Sequence, residues 1–549
     1  MQFEKFMTSK NKKNIHSPAG ARLLVALFAS VAALSLQGAT PEQARLLVNI
    51  IVDGLDANYI DLLRDHLTDN GFKRLERDGV QFTADYGTPL DATAATATLM
   101  TGASPSLTGI ASSTYYDRYG MRPQQAYTDN STLGNFTTWG SSPASLRVST
   151  ISDELRIASS GTNLVYSIAP APGVAMGLAG HNATSAVWID RKTGNWASST
   201  SYHEIPANIA VRNRMRPLKA RLDTMTWKPS LPPGTYPHVP DYLSKYPFSH
   251  NFPRSSADRI DMFLSSPLVN REVTEVATDI LHTQKLGTHE GTTDVLNIGY
   301  DLNPYPFRRQ SDKRVETMDA YVKLDRDLNA LFTDIDKRIG ANRTVIMLAA
   351  TPARPQRRRD EDEWKIPYGE FSTRKAVSLL NVYLMALHGN GDFISAYHDG
   401  HIFLNHNLIK ELKLNIADVR EEAAQFLVRM TGVDRAYTID DIVAGRAGEK
   451  PDALRRNTVV ATAGDIILYA APGFEIVDDY NNNDPDAARR NMVQTTALPY
   501  ARVFIVAPSV PAQVLDTPVD ARAIAPTVAG ILRIRSPNAA GSAPLRLKK

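Results

Sequence analysis

The segment Leu46-Leu47-Val48-Asn49-Ile50-Ile51-Val52-Asp53 decides the fold. It is a short run of apolar and β-branched residues that ends in an aspartate. Such a run is typical of a central parallel strand that is buried on both faces. Asp53 would then lie at the carboxyl end of the strand, and ligands of parallel sheets bind beyond the strand ends. The segment therefore predicts an α/β fold with its functional site next to Asp53.

Further segments extend this prediction along the chain. Apolar runs of the same kind occupy residues 164–168, 295–300, 344–349 and 503–507. Between the second and third of these, apolar side chains recur at helical spacing, at Met318, Tyr321, Val322, Leu328, Leu331, Phe332 and Ile335. This spacing predicts an amphipathic crossover helix in a βαβ unit. We expect a mostly parallel central sheet that is flanked by helices.

Two stretches look like insertions over this sheet. Residues 188–252 are rich in Pro, Ser, Asn and aromatic side chains, and residues 354–448 pass from a charged loop into hairpin and helix patterns. Both are predicted to form a smaller cap or rim on a single domain that spans residues 40–549. Within the second, residues 357–363 carry charges of opposite sign that cancel. A solvated loop is the interpretation for that run.

The N-terminus has the order of a secretory signal. Basic residues (Lys5, Lys10, Lys12, Lys13 and Arg22) precede an apolar run over 23–36, and the small residues Gly38 and Ala39 follow it. We predict a signal peptide over residues 1–39 and export to the periplasm or cell envelope. The run is shorter than the roughly 20 apolar residues of a membrane span, although an uncleaved N-terminal anchor remains an alternative.

Composition narrows the function classes. The chain of 549 residues has a formal net charge of +3, and the predicted signal carries five Lys or Arg against one Glu, so the remainder is close to neutral. No basic footprint for nucleic acid remains. No cysteine is present, which excludes disulfides, thiolate metal sites and a thiol nucleophile.

A series of short phrases carries a family resemblance. They are Val52-Asp53-Gly54, 71–75 (GFKRL), Met100-Thr101-Gly102, 115–117 (YYD), 179–181 (AGH), 186–190 (AVWID), 293–296 (TDVL), 321–325 (YVKLD), 403–406 (FLNH) and 524–527 (IAPT). Through these phrases, which follow one another in this order, the chain resembles the alkaline phosphatase superfamily. It is most similar to the exported phosphomonoesterases that use a threonine nucleophile, which are relatives of the nucleotide pyrophosphatase/phosphodiesterases.

The resemblance implies a two-zinc site, and this chain departs from it. Zinc ligands without sulfur are carboxylates and imidazoles, and the ions activate a hydroxyl nucleophile at a helix N-terminus. Asp53 matches one ligand position, but the nucleophile position falls on Ala92, whose methyl group cannot attack phosphorus. The remaining metal positions fall on Pro304, Arg308, Thr351, Pro352 and Ala497, and the positions that contact substrate phosphate fall on Ser113, Ala171 and Gly173.

Thr93 is the candidate for a displaced nucleophile. A shift of one residue turns a helical side chain by about 100°, which would aim it away from the site. The interpretation we favour makes Thr93 an N-cap of the helix that follows, with Asp91 favourable near the helix dipole.

Histidines and acidic residues elsewhere offer other metal sites. His398 and His401 flank Asp399-Gly400, a hairpin signal, and the pair lies in the expected cap, so a structural role is favoured. His181, His406, His282 and His289 are also interpreted as structural, either satisfied or exposed. The acidic stretch with Asp478, Asp479, Asp484 and Asp486 lacks the order of an EF-hand and is interpreted as a loop rather than a calcium site.

Two hypotheses follow. In the first, the chain is a catalytically degenerate, exported module that binds a protein or an anionic small molecule or serves a structural role, with no cofactor expected. Arg308 and Arg309 would place guanidinium groups near the former zinc site and hold phosphate or sulfate. In the second, it is a metal-dependent phosphoric-ester hydrolase whose rearranged carboxylates hold Mg²⁺ or Ca²⁺ while Thr93 attacks, the carboxylates being Asp53, Asp56, Asp91 and Asp301.

Overall fold

The computed structural model describes residues 43–203, 205–241, 245, 247–307, 313–353, 365, 369–490 and 498–548. The predicted signal peptide over 1–39, the charged run over 357–363, and Arg308, Arg309 and Ala497 lie outside these residues. Residues Gln43–Lys549 form one compact unit. Among the described helices, none combines the length and the apolar character that crossing a bilayer requires.

A mixed sheet of ten strands forms the centre of the molecule. In spatial order its strands are Gln513–Asp520, Val80–Asp85, Tyr500–Val506, Thr344–Ala350, Leu46–Asp53, Asp294–Asp301, Val165–Ile168, Ser185–Ile189, Trp196–Ser199 and Gly134–Asn135. The Leu46–Asp53 strand lies inside the sheet and runs parallel to both neighbours. Its residues from Leu46 to Val52 are fully buried, as the apolar run predicted.

One expected strand differs in direction. The Tyr500–Val506 strand, predicted over 503–507 as a parallel strand, pairs antiparallel with Thr344–Ala350. An apolar run reports burial on both faces of a sheet, but it contains no information about strand direction. The parallel part of the sheet therefore ends at Thr344–Ala350 on this side and resumes between Val80–Asp85 and Gln513–Asp520.

Helices cover both faces of the sheet. The crossover helix Arg314–Arg338 connects two strands that flank Leu46–Asp53, and it packs with Leu268–Thr283. Pro172–Ala179 contacts the same strands as Leu268–Thr283 but packs with Ala92–Thr101 instead, so it lies on the other face. The remaining α-helices of the described residues are Ala57–Leu62, Phe72–Asp78, Pro105–Thr108, Ile151–Ala158, Ala207–Met215, Leu218–Arg221, Arg259–Leu264, Thr373–His388, His406–Glu411, Ile416–Val428, Ile439–Val443, Pro451–Asn457, Pro485–Arg490 and Ile524–Leu532.

A second lobe is built from residues 369–477. Its antiparallel sheet has the order Ile394–His398, His401–Leu404, Ile466–Ala470 and Val433–Thr438. This sheet and the helices Thr373–His388 and Ile416–Val428 enclose a separate apolar core that contains Leu380, Phe393 and Ile402. The short strand Gly369–Ser372 pairs with Phe474–Val477, so the lobe continues past residue 448.

The first stretch interpreted as an insertion begins inside the central sheet. Ser185–Ile189 and Trp196–Ser199 are strands of that sheet, and the irregular chain over the sheet starts only after them. Among the described residues there are also two small antiparallel pairs, the hairpin of Thr114–Asp117 with Arg122–Gln125 and the pairing of Thr226–Trp227 with His250–Asn251.

Candidate functional site

A cavity of about 2050 Å³ lies at the carboxyl ends of the central strands. Its wall contains most of the positions singled out from the sequence, namely Asp53, Ala92, Thr93, Ser113, Ala171, Gly173, Asp301, Pro304 and Pro352. Thr351, which precedes Pro352, is fully buried next to this wall. Residues that are up to 299 positions apart in the chain thus meet at the carboxyl end of the Leu46–Asp53 strand, where the sequence predicted the functional site.

Neutral hydrogen-bond donors hold the carboxylate of Asp53. The hydroxyl of Thr351 donates to Oδ1 across 2.5 Å, and the side-chain amide of Asn303 donates to Oδ2 across 2.6 Å. Asp301 lies beside Asp53 in the sheet register, and its carboxylate accepts the backbone N–H of Asn303 at 2.7 Å. Both oxygens of Asp53 therefore accept hydrogen bonds from neutral side chains of the protein.

Gly54 allows Asn303 to come this close. Its φ angle is +74°, a left-handed conformation that favours glycine, and a Cβ at this position would lie 2.6 Å from Oδ1 of Asn303. The backbone N–H of Gly54 also points to the hydroxyl of Thr351, at 3.3 Å. The turn after the strand is thus shaped around the two side chains that hold Asp53.

Asp91, and not Thr93, caps the helix Ala92–Thr101. Oδ1 of Asp91 accepts the backbone N–H of Ala94 at 2.9 Å, and its backbone is extended as an N-cap requires. Ala92 is the first helical residue and Thr93 the second, so Thr93 follows the capping position. The interpretation of Thr93 as the N-cap was wrong because Asp91 has the required spacing of three residues to Ala94.

Thr93 packs against a position that lacks a side chain. It is 3% exposed, and a Cβ built on Gly173 would lie 2.4 Å from its Oγ1. Within the described part of the chain its hydroxyl has no hydrogen-bond partner. Ala171 directly precedes the helix Pro172–Ala179 and gives it no side-chain cap. At this wall of the cavity, position 171 thus presents a methyl group and position 173 presents no side chain.

The described residues do not fit a zinc pair. Pro304, Thr351 and Pro352 offer no carboxylate or imidazole, and within the described ranges no group of three or more His, Asp or Glu is placed to hold a metal ion. No three of the carboxylates Asp53, Asp56, Asp91 and Asp301, all of them described residues, are placed to hold one ion. Asp56 caps the helix Ala57–Leu62, and Asp91 caps Ala92–Thr101. Asp53 and Asp301 are the two that meet.

One histidine pair lies closer to the site than the sequence indicated. The predicted hairpin is present, with His398 paired to His401, and both line the cavity. Nε2 of His398 lies 3.1 Å from Oγ1 of Thr114. His401 accepts the N–H of Gly464 at 3.0 Å, and burial, with smaller effects of His398 and Arg118, lowers its pKa to about 4. His401 is therefore neutral at pH 7.

The four other histidines singled out from the sequence each have an acidic partner. The pairs are His181 with Asp153, His282 with Asp334, His289 with Asp294 and His406 with Asp465, at 2.6 to 2.9 Å. In the acidic loop, Asp478 accepts from Asn481 and Asn482, and Asp479 accepts from Ser372 and Thr373. The side chain of Asp486 lies outside the described residues.

The sheet and its site together define an alkaline-phosphatase-like α/β fold. The model of the type I phosphodiesterase / nucleotide pyrophosphatase family matches residues 47–496, and the chain therefore belongs to that family.

Individual relatives agree with this assignment. The chain is 26% identical over 426 residues to alkaline phosphatase PhoV of Synechococcus elongatus, covering 74% of this chain and 76% of that protein. It is 22% identical over 525 residues to alkaline phosphatase PafA of Elizabethkingia meningoseptica, covering 91% and 94% of the two chains. The crystal structure of wild-type PafA has the same fold, with a TM-score of 0.79 over 92% of this chain and 98% of that one.

Proposed function

We propose that this protein is a catalytically inactive member of its family that acts as a binding or structural module. The observation that supports this most is the state of Asp53. Thr351 and Asn303 donate to its two oxygens at 2.5 and 2.6 Å. Two of the roughly four lone-pair sites of the carboxylate thus accept hydrogen bonds from neutral protein donors, which supports a structural rather than a metal-binding use of Asp53.

The rest of the chemical machinery supports the same proposal. Ala92 lies at the helix N-terminus where the family nucleophile is expected, and it has no hydroxyl. Ala171 and Gly173 provide no cation for a phosphate group. The nucleophile for attack on phosphorus and the cations that would bind and stabilise a phosphate group are thus missing from these positions.

A metal and activity measurement tests the proposal. The purified protein is dialysed against trace zinc and magnesium, analysed by mass spectrometry for bound metal, and assayed with p-nitrophenyl phosphate and bis-p-nitrophenyl phosphate. We expect hydrolysis no faster than that of an Asp53→Ala variant, because neither protein has a nucleophile. Metal-dependent turnover that Asp53→Ala abolishes would overturn the proposal.

That second outcome would favour a hydrolase with rearranged ligands. Its support is the pairing of Asp53 with Asp301 at adjacent strand ends, which places two carboxylates on one wall of the cavity. Hard cations such as Mg²⁺ accept oxygen ligands of this kind. A loss of turnover in Thr93→Val, with normal folding, would then assign the nucleophile.

We infer export to the periplasm or cell envelope from the N-terminus. Five basic residues precede the apolar run over 23–36, and small residues follow it. Fractionation of the expressing cell and mass spectrometry of the recovered protein test this inference. A cytoplasmic protein that retains Met1 would contradict it, whereas an envelope protein with an intact N-terminus would indicate an uncleaved anchor.

The anionic ligand remains a prediction from the sequence. It depends on Arg308 and Arg309, which lie outside the described residues. Calorimetric titration with inorganic phosphate tests it directly, and the absence of both heat and a thermal shift would remove it.

A further inference from the structure

A second, smaller cavity lies on one face of the central sheet. Its volume is about 360 Å³, within the range of roughly 300 to 1,000 Å³ that small-molecule sites occupy. It has no lining residue in common with the large cavity at the strand ends. It is therefore a separate candidate site, which the proposed function does not use.

Two antiparallel strands form the floor of this cavity. Arg502 and Phe504 lie on the strand Tyr500–Val506. Gln81 lies directly opposite Phe504 on the strand Val80–Asp85. Side chains two positions apart in a strand share one face of a sheet, and so do the side chains of directly paired residues. Arg502 therefore points to the same face of the sheet as Phe504 and Gln81, into the cavity.

The charged residues around the cavity carry a positive excess. They are four cations and two acids, a net charge of +2, namely Arg64, Lys73, Arg77, Arg502, Asp61 and Glu76. Arg64 pairs with both acids, at 3.2 Å from Asp61 and 2.7 Å from Glu76. The charges of the other three cations are thus not balanced within the cavity lining, and such a wall attracts anions.

Two of these three cations have acidic partners outside the cavity lining. Nζ of Lys73 lies 3.7 Å from Asp69, which is longer than a hydrogen bond, and Arg77 pairs with the adjacent Asp78 at 2.7 Å. Asp69 and Arg77 are exposed, and exposed ion pairs contribute little to stability. A ligand in the cavity can therefore compete for both cations.

Arg502 is the third cation. It is half-buried on an inner strand of the sheet, and within the residues that the structure describes its guanidinium makes no hydrogen bond and no ion pair. Withdrawing a charge from water is unfavourable unless a partner compensates for it. A guanidinium group matches the oxygens of a phosphate in pairs. An anion in this cavity would supply the partner that Arg502 lacks.

We propose that this cavity binds a small organic phosphate whose phosphate group pairs with Arg502. A phosphate monoester carries about −1.5 to −2 charges at pH 7, which complements the net charge of +2 on the lining. Ile60 and Phe504 are buried beneath the cavity and provide an apolar surface for the uncharged part of the ligand. The proposal is independent of whether the large cavity hydrolyses phosphoric esters, because the two cavities share no residue.

Isothermal titration of the purified protein with phenylphosphonate, inorganic phosphate and phenol tests the proposal. Phenylphosphonate resembles an organic phosphate but has no ester bond to hydrolyse. We expect it to bind more tightly than inorganic phosphate, because its ring can also contact the apolar floor, whereas phenol should not bind. The affinity should fall as salt is added.

Arg502→Gln removes the charge but keeps a long side chain that can form hydrogen bonds. It should weaken the binding of phenylphosphonate about tenfold, which corresponds to the loss of one charge-assisted contact. Without ligand it should unfold at the same temperature as the wild type, because the guanidinium has no partner in the described structure. Arg429→Gln is the matched control, since it removes an exposed arginine from the second lobe and should bind as the wild type does.

Glu76→Gln tests the charge argument in the opposite direction. The substitution removes one of the two acids and raises the net charge of the lining from +2 to +3. This variant should bind phenylphosphonate about two- to fivefold more tightly than the wild type. Weaker binding by a folded Glu76→Gln variant would contradict an anion site.

Other outcomes would also overturn the proposal. They are the absence of binding by both phenylphosphonate and phosphate, equal binding by Arg502→Gln and wild type, or binding of phenol as tight as that of phenylphosphonate. Binding that Arg308→Ala abolishes and Arg502→Gln leaves unchanged would assign the anion to the large cavity instead. Hydrolysis of p-nitrophenyl phosphate is measured separately and would overturn the proposed function alone.

Discussion

The hydroxyl of Thr351 donates a hydrogen bond to Oδ1 of Asp53 across 2.5 Å, although the two residues are 298 positions apart. Asp53 ends the central Leu46–Asp53 strand, and Thr351 follows the neighbouring strand Thr344–Ala350. Parallel strands bring their carboxyl ends to one edge of the sheet, so the contact follows from the fold. At this edge the chain places a hydroxyl donor directly beside the carboxylate of Asp53.

Thr351→Val is expected to lower the free energy of unfolding by about 1 to 3 kcal/mol, because a partly buried carboxylate loses a charge-assisted hydrogen bond. Thr351→Ser retains the hydroxyl and should lose much less. Urea denaturation of both variants measures the difference. If valine and serine were equally stable, the hydrogen bond would not stabilise Asp53.

Gly173→Ala is expected to destabilise the protein by about 1 to 3 kcal/mol, because its Cβ would lie 2.4 Å from Oγ1 and 2.7 Å from Cγ2 of Thr93. Thr93→Ala removes both atoms, so the double variant should recover much of the loss. Thermal denaturation of the single and double variants gives the coupling between them.

Gly530→Ala is the matched control for that cycle. Gly530 also lies in a helix, Ile524–Leu532, but a Cβ there meets no atom within 4 Å. Alanine should stabilise this helix by about 0.5 to 1 kcal/mol. Equal losses at positions 173 and 530 would contradict the assigned contact with Thr93.

The sequence predicted the sheet and the positions of the site, but not the hydrogen bonds within it. The Leu46–Asp53 strand follows from its own composition, because a run of apolar residues needs burial on both faces. The strand Tyr500–Val506 runs antiparallel to its neighbour. Its direction depends on the end of the sheet at which the chain re-enters after the second lobe, and a local sequence pattern does not encode that.

Long-range approaches were likewise invisible in the sequence. Ser112 meets Asp399 although 287 residues separate them, and the hairpin signal at Asp399-Gly400 predicts a turn but not its neighbour. The role of Asn303 could have been predicted from its position. It lies two residues after the strand that pairs with the Asp53 strand, and its amide can donate a hydrogen bond.

Asp91→Ala is expected to lower the free energy of unfolding by about 0.5 to 2 kcal/mol, because the helix Ala92–Thr101 loses its N-cap. Asp91→Asn keeps an oxygen for the N–H of Ala94 and should lose less. Chemical denaturation of the two variants separates the cap from the charge. Equal losses in the two variants would show that the charge of Asp91, which both remove, rather than its cap oxygen stabilises the fold.

Glu272 provides a test of pH dependence away from the cavity. It is 3% exposed, and its carboxylate pairs with Arg212 at 2.8 Å and with Arg221 at 2.7 Å. Burial alone would raise the pKa of Glu272, but the hydrogen bonds and charges of both arginines outweigh it and lower the pKa from 4.5 to about 2. The indole N–H of Trp196 donates to the same carboxylate at 3.0 Å.

Glu272→Gln should therefore cost about 3 kcal/mol at pH 7, since it removes the buried charge that Arg212 and Arg221 share. Arg212 keeps a second carboxylate, Glu275 at 2.7 Å. The carboxylate is more acidic in the folded protein than in the unfolded chain, so its contribution is complete above pH 4.5 and is lost as the pH falls towards 2. The stability gap between wild type and variant should be constant from pH 6 to 8 and narrow below pH 4.5. Denaturation curves at several pH values measure this gap, and a gap that widened on acidification would contradict the assigned ion pairs.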